Sequence, residues 1–597
     1  MSLLSRTTQL RIRRVLRRRQ KQVEAAAEAA EKSLDTNLIG RFDRLLRVRR
    51  FAFGWLALVL LITLGTVLQT IGLSGYYQSV RPTPGGIYDE GIVGTYSNAN
   101  PLYATGTVDL AVSRLIFAGL LKYNDQNQLV GDLASSYSVD QTGKHYVVKL
   151  RPHLTWQDGR PLTARDVVFT YRLVQNPDVQ SPLAQSWQNI DVSAPDDQTV
   201  HFDLPNAFSA FPYSLTTGLL PEHLLANVPA SQLRADAFNT THPVGAGPFA
   251  WQAIQVSNNA DPDKSLSLIA LKPFSHYAGG RPKLDGFVVH AFGSKEQMIS
   301  AFEKRDINAM TGLDSVPDPL AHASDVTATS FNSTAAVMSF FKTSSGVLAD
   351  AQVRHALVQG TDTATILRSL GYDAPAVTEP FLKGQLGYNA TYRQATYSQA
   401  AANATLDKAG WVRGSNGTRH KGDQKLSFRL YAEDTPENRR TTELLTRYWA
   451  ALGADVTPVL QPLTDFQTTL EFHTYDALLY GISIGVDPDV FAYWDSSQAD
   501  IRATTRMNFS EYKSATADTA LEAGRTRLNP ELRAIKYKPF LQAWQTDAPA
   551  LGLYQPRFLY ITRGTVYGLK KHSLNTDADR YDSVANWEIH TAKVTNS

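Results

Sequence analysis

The chain has 597 residues, well beyond the roughly 100–200 of a single domain, so more than one lobe is expected. With 43% hydrophobic and 10% aromatic residues the composition is that of a folded protein and excludes a disordered chain. There is no cysteine, which excludes disulfides, thiolate metal sites, cysteine nucleophiles and a lipid anchor on cysteine. The net charge of +3 hides an asymmetry: residues 1–50 carry fourteen Lys/Arg against five Asp/Glu, and the remainder is mildly acidic. A basic tail on an acidic body points to an anionic surface as the tail's partner.

In chain order, residues 1–50 read as a basic tail that is helical through the Ala/Glu-rich stretch 24–31. Its cluster of Arg11, Arg13, Arg14, Arg17, Arg18 and Arg19 is a candidate for anionic lipid rather than nucleic acid, because a membrane segment follows, and serves equally as a topology determinant with no further role. Residues 51–73 carry no charge, and at about 1.5 Å per residue they match the roughly 30 Å hydrocarbon core of a bilayer. Arg44, Arg47, Arg49 and Arg50 precede this span, whereas the first charges after it are Arg81, Asp89 and Glu90. The bias predicts a cytoplasmic N-terminus, an uncleaved signal anchor, and a single-pass protein whose body is extracellular or periplasmic. Residues 74–86, with Gly, Pro and polar side chains, read as a stalk.

Within the body, residues 144–151 alternate as a strand, Asp158-Gly159 forms a turn, and Thr163 with Asp166 reads as a capping box opening a helix. Strands are expected at 425–431 and 475–482 and a helix at 437–452, which makes the body α/β. A stretch rich in Pro, Asp, Ser and Thr at 315–330 suggests the division between lobes. No phosphate-binding G-x-x-x-x-G-K-[ST] loop and no H-E-x-x-H zinc helix occurs, and the histidines show no ligand spacing. The G-A-G at 245–247 lacks the third glycine of a dinucleotide loop, so no cofactor and no metal are expected. One span cannot build a permease.

Several ordered motifs are informative together: L-I-F-A-G-L-L-K-Y (115–123), G-D-L-A-S-S-Y (131–137), W-Q-D-G-R-P-L-T-A-R-D-V-V-F-T (156–170), V-G-A-G-P-F (244–249), L-A-D-A-Q-V-R-H-A-L (348–357), V-D-P-D-V-F (486–491) and A-P-A-L-G-L-Y (548–554). They resemble family 5 extracellular solute-binding proteins, the oligopeptide- and dipeptide-binding components of ABC importers, over roughly residues 86–590. The resemblance implies a non-enzymatic two-lobed clamshell of the type II periplasmic-binding class. Lobe one would be 87–327 plus 553–597 with an extra subdomain near 121–245, and lobe two 328–552. It also implies a peptide or other small solute held between the lobes and passed to permease and ATPase subunits on separate chains. Relatives place an Asp three residues ahead of the D-P dipeptide for the ligand's amine; here that position is Ile484. Asp487 and Asp489 are candidate substitutes, Tyr493 and Trp494 candidate stacking residues, and Arg502 and Arg506 candidate partners of a ligand carboxylate. Alternatives are a membrane-spanning sensor with the same clamshell, a binder of a non-peptide solute such as an oligosaccharide, and a surface hydrolase.

Overall fold

The computed structural model describes residues 6–37, 49–257, 261–500, 502–503, 505–571 and 573–595. Two units emerge, one made of the chain up to Arg81 with the C-terminal residues from Thr591, the other of Pro82–His590.

The first unit contains helix α1 (Arg6–Asn37) and helix α2 (Arg49–Tyr77). All six arginines of the basic cluster fall on α1, whereas Arg44 and Arg47 lie outside the described residues. Within α2, Phe51–Gly72 is long and apolar enough to cross a membrane, and its side chains are uncovered by the rest of the protein. The expected stalk at 74–86 is corrected. Its first residues complete α2, and Gln78–Thr83 is a strand paired with the C-terminal strand His590–Thr595 in a two-stranded ribbon. Glycine and proline signals are local and do not register a partner strand five hundred residues away.

The second unit is built on two large sheets. The first has eight strands in the order Ser573–Leu574, Val326–Ser333, Arg557–Arg563, Ala309–Thr311, Ile87–Val93, Gly286–Phe292, Leu266–Pro273 and Phe249–Ser257. The second has five, in the order Asp455–Gln461, Ser427–Glu433, Ala477–Ser483, Ala335–Phe341 and Ala550–Tyr554. This is the mixed α/β, two-lobed architecture expected. In the five-stranded sheet, alternation decides which core each side chain enters. Val337 and Phe341 join one hydrophobic cluster, while Ala336, Met338 and Phe340 join another on the opposite face. Both faces are therefore covered, as a sheet flanked by helices requires.

The sheets also locate the division between lobes. The strand Val326–Ser333 hydrogen-bonds within the eight-stranded sheet, so the first crossing comes at Thr334 rather than at 315–330 or 328. Ala550–Tyr554 completes the five-stranded sheet, so the return crossing comes at Gln555-Pro556 rather than at 553. The polar stretch at 315–330 contains the short helix Asp318–Ala321 and ends inside the strand Val326–Ser333, which pairs with Arg557–Arg563. The final strand, assigned to lobe one from the sequence, pairs in the ribbon instead.

A four-stranded sheet in the order Ala134–Val139, His145–Leu150, Thr199–Asp203 and Asp191–Asp196 forms the subdomain of lobe one. Helix Ala164–Gln175 packs on it through Val167, Val168, Tyr171 and Val174, and the Thr163/Asp166 capping box closes its N-terminus. Gly245 and Gly247 are required by close approach: a Cβ on Gly245 would sit 2.1 Å from the Ile116 carbonyl oxygen.

Two buried carboxyl groups test this architecture. Glu90, on a central strand of lobe one, accepts from Arg580 Nη2 at 2.6 Å, Tyr581 Oη at 2.9 Å and Tyr560 Oη at 3.0 Å, with Glu90 and Arg580 0% and 2% exposed. Arg580→Ala strands that carboxylate, and a loss of about 3–5 kcal/mol in urea unfolding is expected, largely recovered in Glu90→Gln/Arg580→Met. In lobe two, burial pushes the Glu379 carboxyl up to about 7 from an ordinary 4.5; its Oε1 accepts from the Asn389 N–H at 2.8 Å and its Oε2 has no partner. The folded state holds this proton more tightly than the unfolded chain. Its contribution, on the order of 3 kcal/mol, is therefore complete below about pH 4.5 and lost as pH rises towards 7. Urea unfolding at pH 5 and pH 8 is expected to show this slope in the native protein and a flatter one in Glu379→Gln.

Candidate functional site

The lobes meet at a hinge and along a seam. At the hinge the two crossings lie side by side: Ser333 N–H donates to the Pro556 carbonyl at 2.9 Å, and Gln555 Nε2 donates to the Ser333 carbonyl at 3.2 Å. Thr334 joins both lobes. Its N–H donates to the Leu574 carbonyl at 2.8 Å and its hydroxyl to Asn575 Oδ1 at 2.8 Å. Its carbonyl accepts from Ile484 N–H at 2.9 Å and Gly485 N–H at 3.0 Å. The loop that carries Asp487 and Asp489 therefore begins at the hinge.

On the lobe-two side, Arg533 forms a bidentate pair with Asp487, both bonds 2.7 Å, and both side chains are nearly buried. Burial opposes the Arg533 charge, but the hydrogen bonds it donates to Asp487 and the charge of that carboxylate outweigh burial and hold its pKa above the ordinary value. Asp489 pairs with Arg525 Nη2 at 2.9 Å; burial raises its pKa, and the Arg525 charge opposes that rise. Arg525 ends the helix Ala515–Arg525, and its guanidinium lies 4.2 Å from the ring centre of Phe491.

Lobe one supplies the other wall. Phe208 lies 4.9 Å from the same guanidinium, and Ser209 donates its N–H and its hydroxyl to the Arg525 carbonyl, each at 2.9 Å. Tyr213, on the short helix Phe211–Ser214, stacks with Tyr123 at 6.3 Å. Its hydroxyl is pushed up to about 12, first by burial and then by the Asp487 carboxylate across the seam. Beside Arg525 the lobes enclose a cavity of about 720 Å³, lined by Gln185, Gln188, Asn206 and Phe208 on one side and Phe491, Glu522 and Thr526 on the other. Its size is in the range of a small-solute site, with two aromatic side chains, Phe208 and Phe491, among a lining that is otherwise largely polar.

The structure thus brings Asp487 and Asp489 together at the seam and separates the other expected residues. Tyr493 is packed inside lobe two with its hydroxyl on the Ser483 carbonyl at 2.8 Å. Trp494 is wholly buried between Phe340 and Trp544. Both are spent on the core, because the short helix Phe491–Trp494 turns them inward, and neither offers a face for stacking on a ligand. Arg502 is 86% exposed and bonded to Asp500 two residues away. Arg506 lines a separate cavity of about 470 Å³ within lobe two, with Tyr480 and Phe509. It donates to the Glu471 carbonyl at 3.2 Å. Sequence reading missed Arg525, Arg533, Phe208 and Tyr213. Only the four-residue spacing of Arg533 and Tyr537 hints at a shared helix face.

Because Arg525 touches both lobes, it acts as a clasp. Arg525→Ala removes the cation–π contact to Phe208 across the seam, together with the Phe491 contact and the Asp489 ion pair within lobe two, while the Ser209 bonds to its carbonyl persist. The closed-to-open ratio is expected to fall roughly tenfold, equivalent to about 1.4 kcal/mol. With no native cysteine, dyes on two introduced cysteines, one per lobe, read this by energy transfer.

Comparison with known proteins places this architecture. Residues 128–502 match the model of the bacterial extracellular solute-binding proteins, family 5, middle region. The oligopeptide-binding protein AppA of Bacillus subtilis is 24% identical over 523 residues, 82% of this chain and 90% of that protein. Its structure in complex with a nonapeptide superposes with a TM-score of 0.69 at 22% identity, over 85% of this chain and all of the other. The ABC transporter substrate-binding protein CtaP of Listeria monocytogenes gives a TM-score of 0.74 at 20% identity, covering 85% and 100% of the two chains. NikZ of Campylobacter jejuni, solved with Ni(L-His), gives 0.72 at 23% identity, covering 84% and 99%. The chain belongs to the family 5 bacterial extracellular solute-binding proteins.

Proposed function

We propose that this protein is a membrane-tethered extracellular solute-binding protein that captures peptides between its lobes and delivers them to an ABC permease driven by ATPases on separate chains. The cavity beside Arg525, walled by both lobes, carries the capture step: a solute lodged there contacts both walls and favours closure about the hinge at Thr334. The uncovered apolar stretch Phe51–Gly72 supports the tether, with the basic N-terminal side in the cytoplasm and the lobes outside. Binding and release need no covalent chemistry, so no catalytic residue is assigned.

The electrostatics of the seam narrow the ligand. Asp487 and Asp489 are already paired with Arg533 and Arg525, and Ile484 is apolar and 6% exposed. An ammonium brought to Asp487 would have to displace a bidentate arginine or remain unpaired, which costs several kcal/mol, and at Asp489, whose Oδ1 is buried without a hydrogen-bond partner among the described residues, it would compete with the Arg525 charge. The ligand therefore presents no free amine here. The amine is blocked, lies elsewhere along the seam, or is absent, as in an oligosaccharide.

Thermal unfolding of the detergent-solubilised protein against short free peptides, N-acetylated peptides and oligosaccharides tests this. A ligand at 100 times its dissociation constant adds about 2.7 kcal/mol. Stabilisation is expected from free and acetylated peptides alike. Stabilisation by free peptides alone contradicts the amine argument, and stabilisation by sugars alone removes the peptide reading.

A further inference from the structure

Helix α1 has two unlike faces. Arg14, Arg17, Arg18 and Lys21 stand at i, i+3, i+4 and i+7, one above another on one side; all four are exposed, and none pairs with a carboxylate among the described residues. On the other side Val15, Leu16 and Val23 are 58%, 59% and 68% exposed, and the row continues through Ala26, Ala27 and Ala30. In water nothing among the described residues covers this apolar row. Eleven residues, 38–48, separate α1 from α2, a reach of at most about 40 Å when extended. α1 is thus tethered within that distance of the point where α2 starts.

We infer that α1 lies in the plane of an anionic leaflet, its Val15/Leu16/Val23 row in the acyl boundary and its basic row against phospholipid phosphates. A bilayer surface satisfies both faces at once. Nucleic acid complements the basic row but leaves the apolar row in water. A second copy of the helix covers the apolar row but sets two Arg19 side chains, which lie within that row, against each other. At a membrane the aliphatic stem of Arg19 stays with the apolar row and its guanidinium reaches the headgroups. This inference rests on α2 spanning the membrane, as proposed above.

The absence of cysteine permits a clean test on the full chain in lipid nanodiscs. An environment-sensitive dye is placed on Val23→Cys, in the apolar row, or on Glu28→Cys, on the polar side. Discs are of phosphatidylcholine alone or with about 30% phosphatidylglycerol. In the anionic discs the dye at 23 is expected to shift to the blue and to be quenched by aqueous acrylamide at least about threefold less, with the dye at 28 unchanged. Reversal of the basic row, Arg14→Glu/Arg17→Glu/Arg18→Glu/Lys21→Glu, should abolish the difference. A chain that fails to enter either disc overturns the span itself. A chain that enters, with position 23 equally quenched in both discs, overturns the inference alone. So does shielding that appears only on adding nucleic acid, or that grows with the number of chains per disc.

Discussion

The double crossing at Thr334 and Gln555-Pro556 constrains everything else in the two-lobed body. Each lobe has its own sheet and its own core, and covalent continuity between them is confined to two adjacent extended segments. Those segments bond to each other through Ser333, Gln555 and Pro556, so they act as one strap rather than two independent linkers. A strap of this kind permits rotation of one lobe against the other and resists sliding. The loop bearing Asp487 and Asp489 leaves directly from it, because Ile484 and Gly485 both donate to the Thr334 carbonyl. The loop is thus bonded to the hinge through the Thr334 carbonyl and to lobe one through Arg525, which pairs with Asp489 and accepts from Ser209.

The seam follows a second rule: its charges are neutralised before any ligand arrives. Asp487 with Arg533 and Asp489 with Arg525 place two cations and two anions at one edge, with the aromatic rings of Phe208, Phe491 and Tyr537 near the guanidinium groups. A pre-paired surface gives little net attraction to an ionic group and relies on shape, aromatic contact and neutral hydrogen bonds. Closure in turn draws on contacts such as Ser209 with the Arg525 carbonyl that do not involve the solute at all.

What the sequence made legible follows from the range of each signal. Period-two alternation in 144–151 and the Thr163/Asp166 box are local, and each has the local structure that its chemistry demands. Asp350 likewise caps the helix Ala351–Gln359 through the Gln352 N–H. Lobe limits were less legible, because strand membership depends on a partner far along the chain: Val326–Ser333 looks like the start of something new until it is paired with Arg557–Arg563. Site residues were least legible. Tyr493 and Trp494 carry the side chains of a stacking site yet face the core, and Arg525 and Arg533, which meet the aspartates from other helices, sit in no motif.

The pairing of Gln78–Thr83 with His590–Thr595 shows how a distant partner changes the meaning of a segment. Residues that read as a stalk pair along one edge with the strand His590–Thr595, so that strand is a structural part of the segment that follows α2. A ribbon closed by backbone hydrogen bonds then limits how freely the segment after α2 can flex, because bending it would expose amide and carbonyl groups on both strands.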